Sequence, residues 1–364
     1  MPGVSRRTFL RSAVVAGTSG SLTLLGNATE GGPRSPDDFI TTDTQTAINR
    51  GLDYLANAQA HNGSFGDRMN AGNVAVTALA GLALLSGGYH PGRGRHGKAV
   101  GKAADYIIER GRVNSPGGYL QNTADIGNHG SMYQHGFGAL FLSEVHGTLP
   151  DPDRQAKARE MLEKSISLTV KAQNKHGGWR YSPKPTDDDV SVTVAQLMAL
   201  RAAKNAGVYV DKAVVDKCVD YIKACQIPSD GGFMYIKGQQ GSGSLFPRSA
   251  AAIVGLYSAG IYDGPVIDKG LKYLMRFLPT GQRMGGFDIR QDHYFYGHYY
   301  AALAMWTAGG NFWAEWFPAI RNELLLRREA NGLWSDNFFG TVYATAMALI
   351  ILQLPNNYLP IMQK

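Results

Sequence analysis

Two clusters in the chain hold the residue types that acid–base chemistry uses. One is Arg180-Tyr181 followed by Asp187-Asp188-Asp189. The other is Asp288, Arg290, Asp292 and His293, followed by Tyr294, Tyr296, His298 and Tyr299. A carboxyl beside a guanidinium or a phenol can hold or pass a proton, and histidine titrates near neutrality. His298 and Asp189 are the candidates for proton transfer. A sugar-cleaving site would need two carboxylates facing each other across a cavity. Asp189 and Asp292 are the pair offered, with Asp67 and Asp336 after equivalent turns. Each acid has a plainer reading, because an Asp just before a helix caps its free N–H groups. Capping lowers the pKa and makes a poor general acid. Cys218 and Cys225 lie seven residues apart in a helical pattern. That is about 10 Å along the axis, so they read as buried thiols and not as a disulfide.

The elements that must position these groups follow from a repeat. A small-residue turn and an aromatic recur as Gly63-Ser64-Phe65, Gly117-Gly118-Tyr119, Gly177-Gly178-Trp179, Gly231-Gly232-Phe233, Gly285-Gly286-Phe287 and Gly332-Leu333-Trp334. The aromatic-to-aromatic steps are 54, 60, 54, 54 and 47 residues. Such a period is the signature of a repeat architecture. An amphipathic stretch precedes each turn, such as Lys212 to Cys225, and a stretch apolar nearly all round follows, such as Val190 to Leu200. The first kind belongs on a surface and the second inside. Six such pairs predict an all-α fold, an (α/α)6 toroid with an inner and an outer ring over residues 45–355. An open solenoid would need polar capping repeats, and the first and last repeats are as apolar as the middle ones. The turn glycines are expected to take positive φ, which glycine adopts without steric cost. The aromatics are expected to plug the space between hairpins.

The inner-helix starts align in one frame: Asn73 to Thr77, Ser131 to His135, Asp189 to Thr193, Leu245 to Ser249, Tyr294 to His298 and Thr341 to Thr345. Hydroxyls at the fifth position can bond back to the preceding turn. His135 and His298 at that position are expected to face a cavity. All six starts fall on one rim, where helix dipoles favour negative charge. Arg248, in the fourth frame, adds to that field.

The turns, with Gly178-Trp179-Arg180-Tyr181 and the inner pattern after them, resemble the repeats of squalene-hopene cyclases and protein prenyltransferase β-subunits over roughly residues 45–355. The cyclases carry two such helical domains, and this chain has room for one. They start their reaction from Asp-x-Asp-Asp-Thr-Ala at an inner-helix start, and Asp189-Val190-Ser191-Val192-Thr193-Val194 occupies that frame. The first Asp is kept. Ser191 replaces the proton donor, so protonation of an alkene or epoxide is not expected there. The prenyltransferases use Asp-x-Cys in this frame and a histidine before the Thr position of a later helix. Here Ser191 and Val76, Gln134, Val192, Arg248, Gly297 and Ala344 stand instead, so no zinc, and no other cofactor, is expected. The resemblance implies an isoprenoid-like or other apolar molecule in a central cavity. Its contacts would come from His135, Trp179, Arg180, Tyr181, Arg248, Asp292, His293, Tyr296 and Tyr299. A carbohydrate-active toroid using rim carboxylates, and a non-catalytic interaction module without a Gly-Cys-Gly-Glu-Gln thioester, are the alternatives.

The first segment reads as an address. Arg6-Arg7-Thr8-Phe9-Leu10 precedes a small, apolar stretch from Ser12 to Leu25 and a Gly26-Asn27-Ala28 cleavage site. This is a twin-arginine export signal, with a periplasmic or extracellular destination. The expected organisation is a signal at 1–28, a linker at 29–44, the toroid at 45–355 and a tail at 356–364. Removing the signal's three arginines takes the formal charge from +7 to +4. No basic run with interleaved aromatics suggests nucleic acid, and no later apolar run reaches transmembrane length.

Overall fold

The computed structural model describes residues 39–115, 117–122, 130–239, 241, 243–280 and 293–363. Twelve α-helices alternate between two layers among these residues. The outer helices are α1 (Thr42–Ala58), α3 (Gly97–Val113), α5 (Pro152–Ala172), α7 (Lys212–Ala224), α9 (Pro265–Met275) and α11 (Gly310–Leu326). The inner ones are α2 (Val74–Ser86), α4 (Ser131–Val145), α6 (Val190–Asn205), α8 (Phe246–Ser258), α10 (Tyr294–Ala308) and α12 (Gly340–Leu352). Outer helices bury one stripe, as in α7 with Val214, Cys218, Val219, Tyr221 and Ile222. Inner helices are buried nearly all round, as in α12 from Val342 to Leu352. Each inner helix packs on the next, and α12 packs on α2, so the inner ring closes. No helix among the described residues is long and apolar enough to cross a membrane.

One side-chain clamp recurs in the hairpins. The residue that plugs each turn donates its backbone N–H to the fifth-position side chain of its own inner helix. The pairs are Phe65 to Thr77 Oγ1 (2.9 Å), Leu120 to His135 Nδ1 (3.2 Å), Trp179 to Thr193 Oγ1 (3.0 Å), Phe233 to Ser249 Oγ (2.9 Å) and Trp334 to Thr345 Oγ1 (3.4 Å). In the second hairpin the plug is Leu120 and not Tyr119, one residue later than the aromatic pattern suggests. The turn at 285–287 lies outside the described residues. A second device joins neighbouring hairpins. Gln59, Gln173 and Gln226 each donate Nε2 to the carbonyl of their own turn glycine and to Ala99, Val214 and Val266 in the next hairpin.

The glycine pair divides its labour. Gly231 has φ +84, whereas Gly232 is not left-handed. A Cβ on Gly232 would instead stand 2.5 Å from Ser244 Cβ and 2.7 Å from the Tyr273 ring. At Gly231-Gly232 positive φ is therefore confined to the first glycine and close packing demands the second, whereas in Gly117-Gly118 it is the second, at φ +92, that is left-handed. Closure of the ring uses a different contact. Asp67 Oδ2 accepts from the N–H groups of Thr341 (2.8 Å) and Val342 (3.4 Å), so the first hairpin caps α12 of the last. Gly340, at φ +87, leaves the room for it, since a Cβ there would overlap the Asp67 carboxyl.

Two boundaries shift from expectation. Helix α1 starts at Thr42, capped by Thr41, and Phe39 is already buried against Trp313 and Phe317. The C-terminal segment lies across the far end of the inner ring. Asn356 Nδ2 bonds Ser86 O at 3.1 Å, Ile361 N–H meets Glu144 Oε2 at 3.4 Å, and Met362 O accepts Trp306 Nε1–H at 3.0 Å.

Replacing Asp67 with Ala uncaps α12 at the seam and leaves its first N–H groups without an acceptor. We expect a loss of about 1–3 kcal/mol in urea unfolding, with helix content kept in native buffer. An unchanged midpoint would show that the seam is held by apolar packing alone.

Candidate functional site

Third-position residues of the inner-helix frame meet near the axis in four helices, Tyr133, Ser191, Tyr296 and Tyr343. Across all six the position is occupied by Ala75, Tyr133, Ser191, Pro247, Tyr296 and Tyr343. Helices α4 and α10 stand opposite each other in the ring of six, yet the rings of Tyr133 and Tyr296 meet at 6.4 Å. One turn further in, Phe137 of α4 and Tyr299 of α10 also meet at 6.4 Å. Aromatic rings therefore meet across the axis at two levels. Tyr300 and Tyr343 continue this lining, the former at 4.7 Å from Tyr296. The hydroxyls of Tyr296, Tyr299 and Tyr300 have no hydrogen-bond partner among the described residues.

Asp189 sits at the mouth beside this lining. It precedes α6 and is the cap of that helix, with Oδ1 accepting the Val192 N–H at 2.8 Å. Its side chain is fully buried, and Oδ2 has no hydrogen-bond partner among the described residues. Burial pushes its pKa up to about 6, although the Val192 N–H, the Arg180 charge and the Tyr235 hydroxyl pull the other way. The capping Asp expected to be a strong acid is thus a weak one, because desolvation outweighs the cap. Tyr133, Tyr181, Tyr235 and Tyr296 surround it closely enough to feel each other's charge. The Tyr181 and Tyr235 hydroxyls bond at 2.5 Å. Arg180 stacks over both of their rings, at 5.2 and 5.8 Å, and Arg248 lies 5.7 Å from the Tyr235 ring. Arg248 also donates Nε to Phe233 O and Nη2 to Gly243 O, which fixes the loop before α8.

Asp189, Arg180, Tyr181, Arg248 and Tyr296 are thus brought together at the mouth. The histidines are placed elsewhere. His135 points to the outer layer: Nδ1 accepts the Leu120 N–H, so Nε2 carries the proton and faces Ser165 O (3.1 Å) and Thr169 Oγ1 (3.0 Å). His298 lies among Phe246, Tyr294 and Trp316 of the outer helix α11. Burial lowers their pKa values to about 4 and about 3, so both are neutral at physiological pH. Trp179 is a plug with no exposed surface, its Nε1–H donated to Thr169 O at 2.7 Å. Trp334 repeats this on Leu324 O at 2.8 Å. His293 is an exposed residue with φ +53 preceding α10. Asp292, with Asp288 and Arg290, lies outside the described residues. The other acids weighed for a carboxylate pair serve the frame. Asp67 caps α12, Asp336 accepts the N–H groups of Phe338 and Phe339, and Asp188 holds Asn174 Nδ2 and His176 Nδ1.

Sequence reasoning missed Tyr133, Tyr235, Tyr300 and Glu144. For Tyr133 the signal was the third frame position, overlooked beside the fifth. For Glu144 it was an acid within the apolar run Leu142-Ser143-Glu144-Val145. Burial pushes Glu144 up to about 7, and its charge reaches Tyr299 at the inner end of the bore.

No family model matches the chain. A stretch of 136 residues is 30% identical to lanosterol synthase of Candida albicans, spanning 34% of this chain and only 18% of that enzyme. The type II terpene cyclase MstE from Scytonema, in complex with geranylgeranyl dihydroxybenzoate, superposes with a TM-score of 0.60 at 15% identity, over 87% of this chain and 98% of that one. The chain has the squalene-cyclase-like toroid fold. That toroid is also the fold of glycoside hydrolases. The α-1,6-mannanase GH76A of Salegentibacter sp. HEL1_6, as an inactive variant with α-1,6-mannotriose, gives 0.62 at 10% identity over 86% and 99%. The GH76 α-mannanase BT2949 of Bacteroides thetaiotaomicron gives 0.60 at 11% over 89% and 98%.

Glu144 has a folded pKa above its unfolded value of 4.5, so the folded state binds the extra proton between the two. Its contribution is whole below about pH 4.5 and is lost as pH rises through about 7. Glu144→Gln is therefore expected to raise stability at pH 8 by on the order of 1–2 kcal/mol and to change it little at pH 4.5. Melting temperatures across that range check this, and equal gains at both ends would contradict it.

Proposed function

We propose that the protein binds an isoprenoid-like or other apolar molecule along the axis of its inner ring. The observation that carries this reading is the aromatic axis, where Tyr133, Phe137, Tyr296, Tyr299, Tyr300 and Tyr343 are brought together, with the buried Asp189 carboxyl beside them. Burial of hydrocarbon against such rings is favourable at about 25 cal/mol per Å². The aromatic faces also suit any positive charge that develops on a bound chain. Entry requires the Tyr133–Tyr296 pair to part, and the side chains that must move are rings on packed helices. The fold neighbour MstE, a variant of which is in complex with its substrate geranylgeranyl dihydroxybenzoate, supports the substrate class.

Chemistry at Asp189 differs from alkene protonation. A carboxyl held near pH 6 keeps its proton too tightly to give it to a carbon–carbon double bond, and Ser191 has none of the required acidity. The group suits accepting a proton or a hydrogen bond. The saccharide reading draws on the mannanase neighbours, but it needs a second carboxylate near Asp189. Among the described acids, Asp67, Asp188 and Asp336 are committed to backbone and side-chain partners in the frame, and Asp292 lies outside the described residues.

Native mass spectrometry of the purified protein with C15 and C20 prenols is expected to show one retained lipid per chain. A panel of α-linked mannooligosaccharides should be neither retained nor cleaved. Saccharide turnover abolished by Asp189→Asn, with no lipid retained, would decide against the reading.

The same proposal places the protein outside the cytoplasm, on the strength of Arg6-Arg7 and the apolar stretch behind them. Replacing both arginines with lysine is expected to hold full-length protein in the cytoplasm of a producing cell. Undiminished export of that variant would remove the twin-arginine assignment.

A further inference from the structure

We infer that the mouth selects an uncharged head bearing a hydroxyl, and that Asp189 Oδ2 is the atom that accepts this hydroxyl's proton in a hydrogen bond. The inference rests on the apolar-ligand reading above and specifies its head group.

A carboxylate oxygen buried without a hydrogen-bond partner is costly, on the order of 1–3 kcal/mol, and structures seldom tolerate it without a reason. Oδ1 of the same carboxyl is used by the Val192 N–H at 2.8 Å, so the helix cap accounts for one oxygen and not the other. Oδ2 is fully buried and has no well-formed hydrogen bond among the described residues, although the Tyr235 phenol, bonded to Tyr181, lies close enough to lower the Asp189 pKa. It is enclosed by groups that could order a hydroxyl. Ser191 is the next axis-facing residue of α6, Tyr235 approaches with its phenol, and Tyr133 and Tyr296 provide the apolar wall. A hydroxyl oxygen has both a proton to donate to Oδ2 and lone pairs to accept from a phenol. An ether has only the lone pairs.

An anionic head is disfavoured by the same arrangement. Among the described residues the buried carboxyl there is Asp189, and a second negative charge beside it would be poorly solvated. Arg180 is near, but its charge already acts on Asp189 and its guanidinium lies over the rings of Tyr181 and Tyr235. Arg248 spends two of its N–H groups on the carbonyls of Phe233 and Gly243. A diphosphate needs several free donors converging on one point, and the described residues do not set them out here.

The test compares three C20 prenyl ligands on the intact protein by native mass spectrometry or calorimetry: the alcohol, its methyl ether and its diphosphate. The alcohol is expected to bind at least roughly tenfold tighter than either of the others, a ratio that one good buried hydrogen bond supplies. Asp189→Asn keeps an oxygen for the helix cap and can turn an N–H₂ toward the Oδ2 position. In that variant the alcohol-over-ether ratio should fall to about one or invert, because the ether can accept from the amide. Circular dichroism confirms that the variant is folded. Equal binding of alcohol and ether by the unaltered protein, or tighter binding of the diphosphate, would overturn the inference while leaving apolar binding intact. A preference for the alcohol that survives unchanged in Asp189→Asn would overturn it as well. Binding of none of the three would remove the underlying reading together with this one.

Discussion

Each described hairpin of this toroid is held by a backbone N–H that cannot find water. The plug residue of each described turn is driven between two helices by its own apolar bulk, and its amide goes with it. A buried amide without an acceptor would cost about as much as the burial gains. The fifth-position side chain supplies that acceptor, and a hydroxyl or an imidazole nitrogen serves equally. Phe65 on Thr77, Leu120 on His135 and Phe233 on Ser249 are the same interaction made with three different acceptors. Once it is made, the angle between outer and inner helix is set, and with it the direction in which the third position points.

That coupling explains what could be read beforehand and what could not. The all-helical double ring was legible because it depends on periodicity, which the turns and the apolar stretches display openly. The mouth was half legible. Asp189, Arg180, Tyr181, Arg248 and Tyr296 were singled out by type, and the structure puts them side by side. His135 and His298 were singled out because histidine usually does chemistry. Their placement followed from an acceptor requirement that Thr meets in neighbouring repeats, and no residue type announces such a substitution. Tyr133 and Tyr235 escaped notice because an aromatic within an apolar stretch reads as core until opposite helices are seen to bring their rings together across the axis. The glutamines that tie one hairpin to the next were overlooked for a similar reason, since a lone Gln at a helix end carries no periodic signal.

The pKa of Asp189 shows how position can override local rules. A helix cap and a nearby guanidinium both argue for a carboxylate that ionises readily. The surrounding phenols and hydrocarbon remove the water that would solvate the charge, and this loss is larger. The same balance acts on Glu144 at the opposite end of the bore, where a single long contact from Ile361 offsets little of the burial. The inner ring thus carries a weakly acidic group at each end and aromatic rings between.

The C-terminal segment lies over the ends of the inner helices, reaching from Ser86 to Glu144 and Trp306. That end of the ring is therefore covered by the chain's own tail, which also packs on α6. Under the proposed function a guest would enter and leave at the opposite rim, with its greasy end leading. Its head would then be the last part to arrive and the first to leave. A change at that rim would alter how long a guest stays, and a change deeper on the axis would alter which chains fit.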